Sequence, residues 1–214
     1  MHRICSSLAN NGYEVTLVGR KQRLSAPLQK EVYRQLRLRC YFTKGKFFYA
    51  EYNLRLFFFL LFKKIDIVCA IDLDTILPCL VISKVKKILR VYDAHELFTE
   101  LKEVIRRPWI KRFWTGIEKY AVPKFKNGYT VSEGISTEFK KRYNVTYETI
   151  RNVPFLKKLD LENSNSKAKK CAAEIEDLKI TNGIGSLFFA HSVSAFSYTQ
   201  GILANRRRGR HLHH

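Results

Sequence analysis

Residues 65–71, Ile-Asp-Ile-Val-Cys-Ala-Ile, are apolar at nearly every position. A strand with one wet face alternates apolar and polar residues. A strand buried on both faces does not, and such strands belong to parallel sheets covered by helices. Parallel neighbours need a long crossover, usually a helix. The next stretch supplies one. Leu77, Leu80, Val81 and Val85 form its apolar positions, Asp74 or Thr75 stands where a cap is needed, and Lys84, Lys86 and Lys87 follow at the end, where cations suit the helix dipole. A second buried run, residues 88–92, comes next. The unit predicts a parallel α/β sheet.

The flanking sequence repeats the pattern. Residues 2–11 read as a helix with Ile4, Leu8 and Ala9 on one face, stopped by Asn11-Gly12. Residues 13–18 and 35–41 alternate and read as strands, the second with a wetter face. A long aromatic helix is expected over 47–62. Another is expected over 108–125, with Trp109, Ile110, Phe113, Trp114 and Ile117 as its apolar face. Residues 128–131 and 147–150 read as short strands, separated by a helix over 133–143 with Ser132 as its N-cap.

The fold expected is therefore α/β: a Rossmann-like, mostly parallel sheet with helices on both faces. One element is out of place. The chain opens on a helix, whereas a doubly wound sheet opens on a strand whose following turn lines the ligand crevice. The first strand is thus expected to be missing. Beyond residue 155 the sequence changes character: 156–194 reads as a charged, partly helical linker and irregular segment, with periodicity lost from Thr181, and 195–214 reads as a basic tail.

Of the 214 residues, 46% are apolar and 13% aromatic, which is enough for a sizeable core and excludes a disordered chain. The formal net charge of +20 favours anionic partners: nucleic acid, acidic lipid or phosphorylated small molecules. Cys5, Cys40, Cys69, Cys79 and Cys171 are scattered and lack Cys-x-x-Cys spacing, the usage of buried thiols in a reducing compartment. The start has no signal-peptide pattern. The apolar run 54–62 is too short to span a bilayer and carries Arg55.

The candidate chemistry lies at strand ends. Asp93, His95 and Glu96 follow the run 88–92, and Asp72 follows the run 65–71. Ligands of open α/β sheets bind outside the carboxyl ends of the strands. An imidazole between carboxylates there can take up or release a proton near neutrality. The local alternative has Asp93 capping its turn and His95 bonded to backbone. Ser132 and Glu133 open a helix, where an anion can bind, although a Ser there also serves as a simple cap. The cluster Arg106, Arg107, Trp109, Lys111 and Arg112 interleaves cations with Trp and fits an anionic membrane or, alternatively, a solvated helix over a buried Trp stripe. No histidine spacing suggests a metal site, and no dinucleotide or phosphate-loop fingerprint is present.

Four segments together resemble the amino-terminal lobe of family 4-type glycosyltransferases, which have the GT-B fold. They are residues 2–19, Asp72-Leu-Asp-Thr-Ile-Leu-Pro78, Val91-Tyr-Asp-Ala-His-Glu-Leu-Phe98, and Tyr129-Thr-Val-Ser-Glu-Gly-Ile135 followed by Ile150-Arg-Asn-Val-Pro154. The resemblance covers roughly residues 2–154. It implies transfer of a sugar from a nucleotide-sugar donor to a saccharide or lipid-linked acceptor of the cell envelope, with no other cofactor and no essential metal. It implies that residues 1–155 are the acceptor-side domain, with His95 and Asp93 catalytic and Asp72, Glu96, Ser132, Glu133 and Asn152 binding substrate. It also implies a cytoplasmic location, peripheral on the inner face of the plasma membrane.

The family's first strand is not found before His2. Of its donor lobe only Tyr198-Thr-Gln-Gly201 and residues 206–210 look like a remnant. The chain is therefore expected to be a fragment, truncated at both ends and inactive alone. Two readings compete. A basic module for nucleic acid or anionic lipid is favoured by charge, though no nucleic-acid motif supports it. A sugar-nucleotide epimerase would share the two-lobed fold.

Overall fold

The computed structural model describes residues 1–22, 25–43, 45–151 and 186–191. Its strands are β1 (Glu14–Lys21), β2 (Arg34–Arg39), β3 (Ile67–Ile71), β4 (Leu89–Ala94), β5 (Asn127–Thr130), β6 (Glu148–Thr149) and β7 (Ser186–His191). The helices are α1 (His2–Asn10), α2 (Gly45–Leu61), α3 (Ile76–Lys86), α4 (Lys102–Ile105), α5 (Pro108–Ala121) and α6 (Glu133–Tyr143). The seven strands form one sheet in the order β2-β1-β7-β3-β4-β5-β6, with every neighbouring pair parallel. The expected α/β class is what the chain adopts.

Period-two alternation divides the core. On one face Ile67, Cys69 and Ile71 of β3 pack with Val15, Leu187 and Phe189 and with Cys5 and Leu8 of α1. On the other face Val68 and Ala70 pack with Phe48, Tyr52, Leu56 and Leu60 of α2, Cys79 and Leu80 of α3, and Trp114 and Ala121 of α5. All of β3 is buried, as its uniform apolarity requires. Cys5, Cys69 and Cys79 are buried free thiols and Cys40 is half-buried, in line with scattered, unpaired cysteines.

The largest departure from expectation is β7. The chain does open on α1, yet the central place in the sheet is filled. Residues 186–191 lie between β1 and β3, in parallel register with both. These six residues were expected to be irregular. Leu187, Phe188, Phe189 and Ala190 are instead buried on both faces. At the start of β7 the Ser186 N–H donates to Asp66 Oδ2 at 2.8 Å, and the Ser186 hydroxyl meets Glu14 Oε2 at 3.2 Å. Asn152, the rest of 156–194, and 195–214 lie outside the described residues.

Smaller corrections concern helix faces and caps. The residue at the cap position of α3 is Thr75, and its side chain makes no capping hydrogen bond. The Thr75 hydroxyl lies 2.8 Å from the Ile71 carbonyl and 3.1 Å from that of Ala190, linking β3 to β7. On α5 only Trp114 of the expected aromatic face is buried; Trp109 is 83% exposed and Phe113 also faces out. On α2 the inner face is core, while Phe47, Leu54 and Phe58 are exposed.

Candidate functional site at the carboxyl edge of the sheet

Strand β4 continues through Asp93 and Ala94 rather than ending at Tyr92, because Asp93 stays in register with Ile71 on one side and Tyr129 on the other. That extension buries the Asp93 side chain completely. Its Oδ2 accepts a hydrogen bond from the Tyr129 hydroxyl at 2.9 Å and lies 3.0 Å from His95 Nε2. Its Oδ1 has no partner among the described residues. A buried carboxylate oxygen without a donor is costly and calls for an explanation, such as a role at a site.

His95 sits just past the strand with a quarter of its side chain exposed. With Nε2–H donating to Asp93, Nδ1 keeps its lone pair. This is how a carboxylate orients an imidazole for proton abstraction. The Asp93 hydrogen bond raises the His95 pKa, opposed by burial. Neither local alternative holds: Asp93 does not cap the turn, and the His95 ring bonds a side chain.

Asp72 joins the same cluster. Its Oδ1 accepts the His95 backbone N–H at 3.3 Å, and its own N–H donates to the Asp93 carbonyl at 2.9 Å. Burial, assisted by the neighbouring Asp93 charge and opposed by His95, raises the Asp72 pKa from about 3.8 to about 7. Such a group exchanges protons near neutral pH. Its backbone has φ 58° and ψ 173°, a region essentially reserved for glycine. Strain of this kind persists at functional sites because the surroundings over-determine it. Relieving it has a definite expectation: Asp72→Gly should exceed Asp72→Ala in stability by about 1–3 kcal/mol, measured by denaturant unfolding. Equal stability of the two would remove the strain argument.

The raised pKa also sets a pH dependence. The folded protein holds the Asp72 proton more tightly than the unfolded chain does. Its contribution to stability is therefore present below about pH 4 and is lost as pH rises through about 7. His95, also raised, acts in the same direction at higher pH. The melting temperature of wild type minus that of Asp72→Asn should fall between pH 4 and pH 7. A difference that is flat with pH would contradict the burial assigned to Asp72.

The remaining candidates divide. Glu96 is exposed on the same turn and close enough to contribute to the Asp72 shift. Ser132 acts as a cap, its Oγ accepting the Ile135 N–H at 3.4 Å. Glu133 is exposed, pairs with Arg151 at 3.2 Å, and takes no part in the Asp72–Asp93–His95 network. Arg106, Arg107, Trp109 and Arg112 are exposed, and Lys111 pairs with Glu100 at 3.3 Å. No helix among the described residues is long and apolar enough to cross a membrane. Tyr129 was not singled out from the sequence as a site residue. Its signal was positional: a Tyr in the strand expected to lie beside the Asp93 strand.

Comparison with known protein families gives no matching family, and comparison with curated proteins gives no significant match.

Proposed function

We propose that this chain is the acceptor-side lobe of a glycosyltransferase that moves a sugar from a nucleotide-sugar donor to a saccharide or lipid-linked acceptor. The observation that supports it most is the oriented imidazole of His95, half-open at the carboxyl edge of a parallel sheet and backed by the buried Asp93. In this role His95 Nδ1 takes the proton of the acceptor hydroxyl as that oxygen bonds to the anomeric carbon, the bond from that carbon to the donor's phosphate oxygen breaks, and the nucleotide leaves with its phosphate. Asp93 holds the ring and stabilises its charge, and Asp72 accepts a second acceptor hydroxyl. Positioning of this kind lowers a barrier by several kcal/mol once the donor is held opposite.

The test has two arms. Calorimetric titration with a panel of oligosaccharide and lipid-linked acceptors should give saturable binding that His95→Ala weakens. Labelled nucleotide sugars, incubated with the acceptor and this lobe joined to a donor-binding lobe, should yield labelled product, whereas this chain alone should yield little or none. Isomerised nucleotide sugar without transfer would instead identify an epimerase. Absence of saccharide binding together with RNA retention at moderate salt would identify a basic binding module.

A peripheral membrane contact is a second part of the reading, supported by Trp109 exposed beside Arg106, Arg107 and Arg112. Basic residues near an anionic surface contribute about 1 kcal/mol each. Arg107→Glu with Trp109→Ser should therefore lower cosedimentation with phosphatidylserine vesicles at least about tenfold, and leave binding to neutral vesicles unchanged. Unaltered cosedimentation would remove this surface from the proposal.

A further inference from the structure

Arg20, near the end of β1, is a buried cation that no carboxylate pairs with among the described residues. It is only 7% exposed. Nη2 donates to the Thr43 carbonyl at 2.8 Å, and the guanidinium lies 3.9 Å above the ring of Phe48. Nε and Nη1 have no hydrogen-bond partner among the described residues. One carbonyl and one aromatic face are a thin set of partners for a group with five N–H donors. Burying a charge without its counter-charge is among the most unfavourable arrangements in a fold.

The register shows where this cation stands. Val18 pairs with Ala190, and Ala190 pairs with Ala70. Arg20 and Asp72 each lie two residues further along. They therefore flank the end of β7 at the same height, about 10 Å apart across two strand spacings. The strand order reverses at this point: β1 and β2 run one way from β7, and β3 to β6 the other. Such a reversal opens the crevice in which doubly wound sheets bind ligands. Asp72 stands across the end of β7 from Arg20, which lies over Phe48 on the face of Val18 and Ala70, whereas Asp93, in register with Ile71, and the His95 ring bonded to it belong to the opposite face.

We propose that Arg20 is an oxyanion subsite, binding a phosphate or carboxylate group of a ligand whose hydroxyls reach across the end of β7 toward Asp72. The guanidinium suits this group because its planar N–H edges match two oxygens at once. Thr43 belongs to the exposed loop between β2 and α2, so its carbonyl is a replaceable partner; an entering anion takes the donors left unused and relieves the buried charge. The site stands on Arg20 and its surroundings and does not depend on the sugar-transfer reading.

The test uses the full chain and simple anions. Thermal melting is followed with sodium phosphate, sodium acetate and sodium chloride at matched ionic strength, and phosphate binding is followed by phosphorus NMR. A saturable rise with phosphate or acetate that chloride does not reproduce is expected, and the anion that saturates at lower concentration identifies the preferred group. Arg20→Lys should bind at least about tenfold more weakly, having lost the planar fork. Arg20→Met should show no anion response and should melt in chloride no lower than wild type. A response equal to that of chloride would overturn the subsite, as would one that survives Arg20→Lys and Arg20→Met undiminished. A lower melting point of Arg20→Met, with no anion response in wild type, would mark the residue as a packing cation only. If Arg20→Met does not fold, the wild-type and Arg20→Lys titrations decide.

Discussion

Phe189→Asp is expected to leave the protein unfolded. Phe189 lies on β7 in the middle of the sheet and packs with Val15, Ile67, Cys69 and Ile71. Deleting a buried Phe side chain costs about 3–5 kcal/mol. A carboxylate in its place adds several kcal/mol more, because no cation or donor waits for it there. The sum rivals the whole stability of a domain, about 5–15 kcal/mol. Near-ultraviolet circular dichroism and a proton–nitrogen correlation spectrum should show loss of native tertiary structure. Phe62→Asp, at a position 80% exposed, is the control and should change stability by less than about 0.5 kcal/mol. A native spectrum for Phe189→Asp would mean that β7 is not a core strand.

The second large effect is on chemistry. If His95 is the base, single-turnover sugar transfer, measured with the lobe joined to a donor-binding lobe, should fall about 100- to 10,000-fold in His95→Ala, while acceptor affinity changes far less. The ring is a quarter exposed and its removal opens no deep cavity, so the fold should survive. Wild-type transfer should decline as pH falls and the imidazole, favoured in its charged form by Asp93, becomes protonated. Undiminished transfer, or a loss confined to acceptor affinity, would show that His95 is not the base.

Much of the fold could be read from local pattern. The run 65–71 could only be a two-faced buried strand, and the helix after it followed from spacing and charge. The site was legible where strand ends carry carboxylates: Asp72, Asp93 and His95 do meet. What the pattern could not supply was anything set by register between distant strands. Ser-Leu-Phe-Phe-Ala-His at 186–191 is short and follows a Gly-rich stretch; only the slot between β1 and β3 makes it a strand. Tyr129 read locally as an ordinary strand residue, and Arg20 fell just past the strand expected over 13–18. Tyr129 gains its role from the Asp93 carboxylate on the neighbouring strand, and Arg20 its place from the Phe48 ring and the Thr43 carbonyl that hold its guanidinium. Ser132 carried both readings from its place in the sequence, and its hydroxyl does cap α6.

The central position of β7 has a consequence for how the molecule is made. A ribosome adding about 5–20 residues each second completes β1 to β6 well before residue 186 emerges. Until then β1 and β3 present two unpaired, apolar strand edges to the same gap. Exposed edges of that kind template pairing with other chains. Contacts that join residues so far apart in sequence also form slowly. Any native pairing among β1 to β6 formed before residue 186 emerges leaves that seam open, and its most adhesive surface is the slot the late strand fills. Assembly is then a race between β7 and a foreign strand.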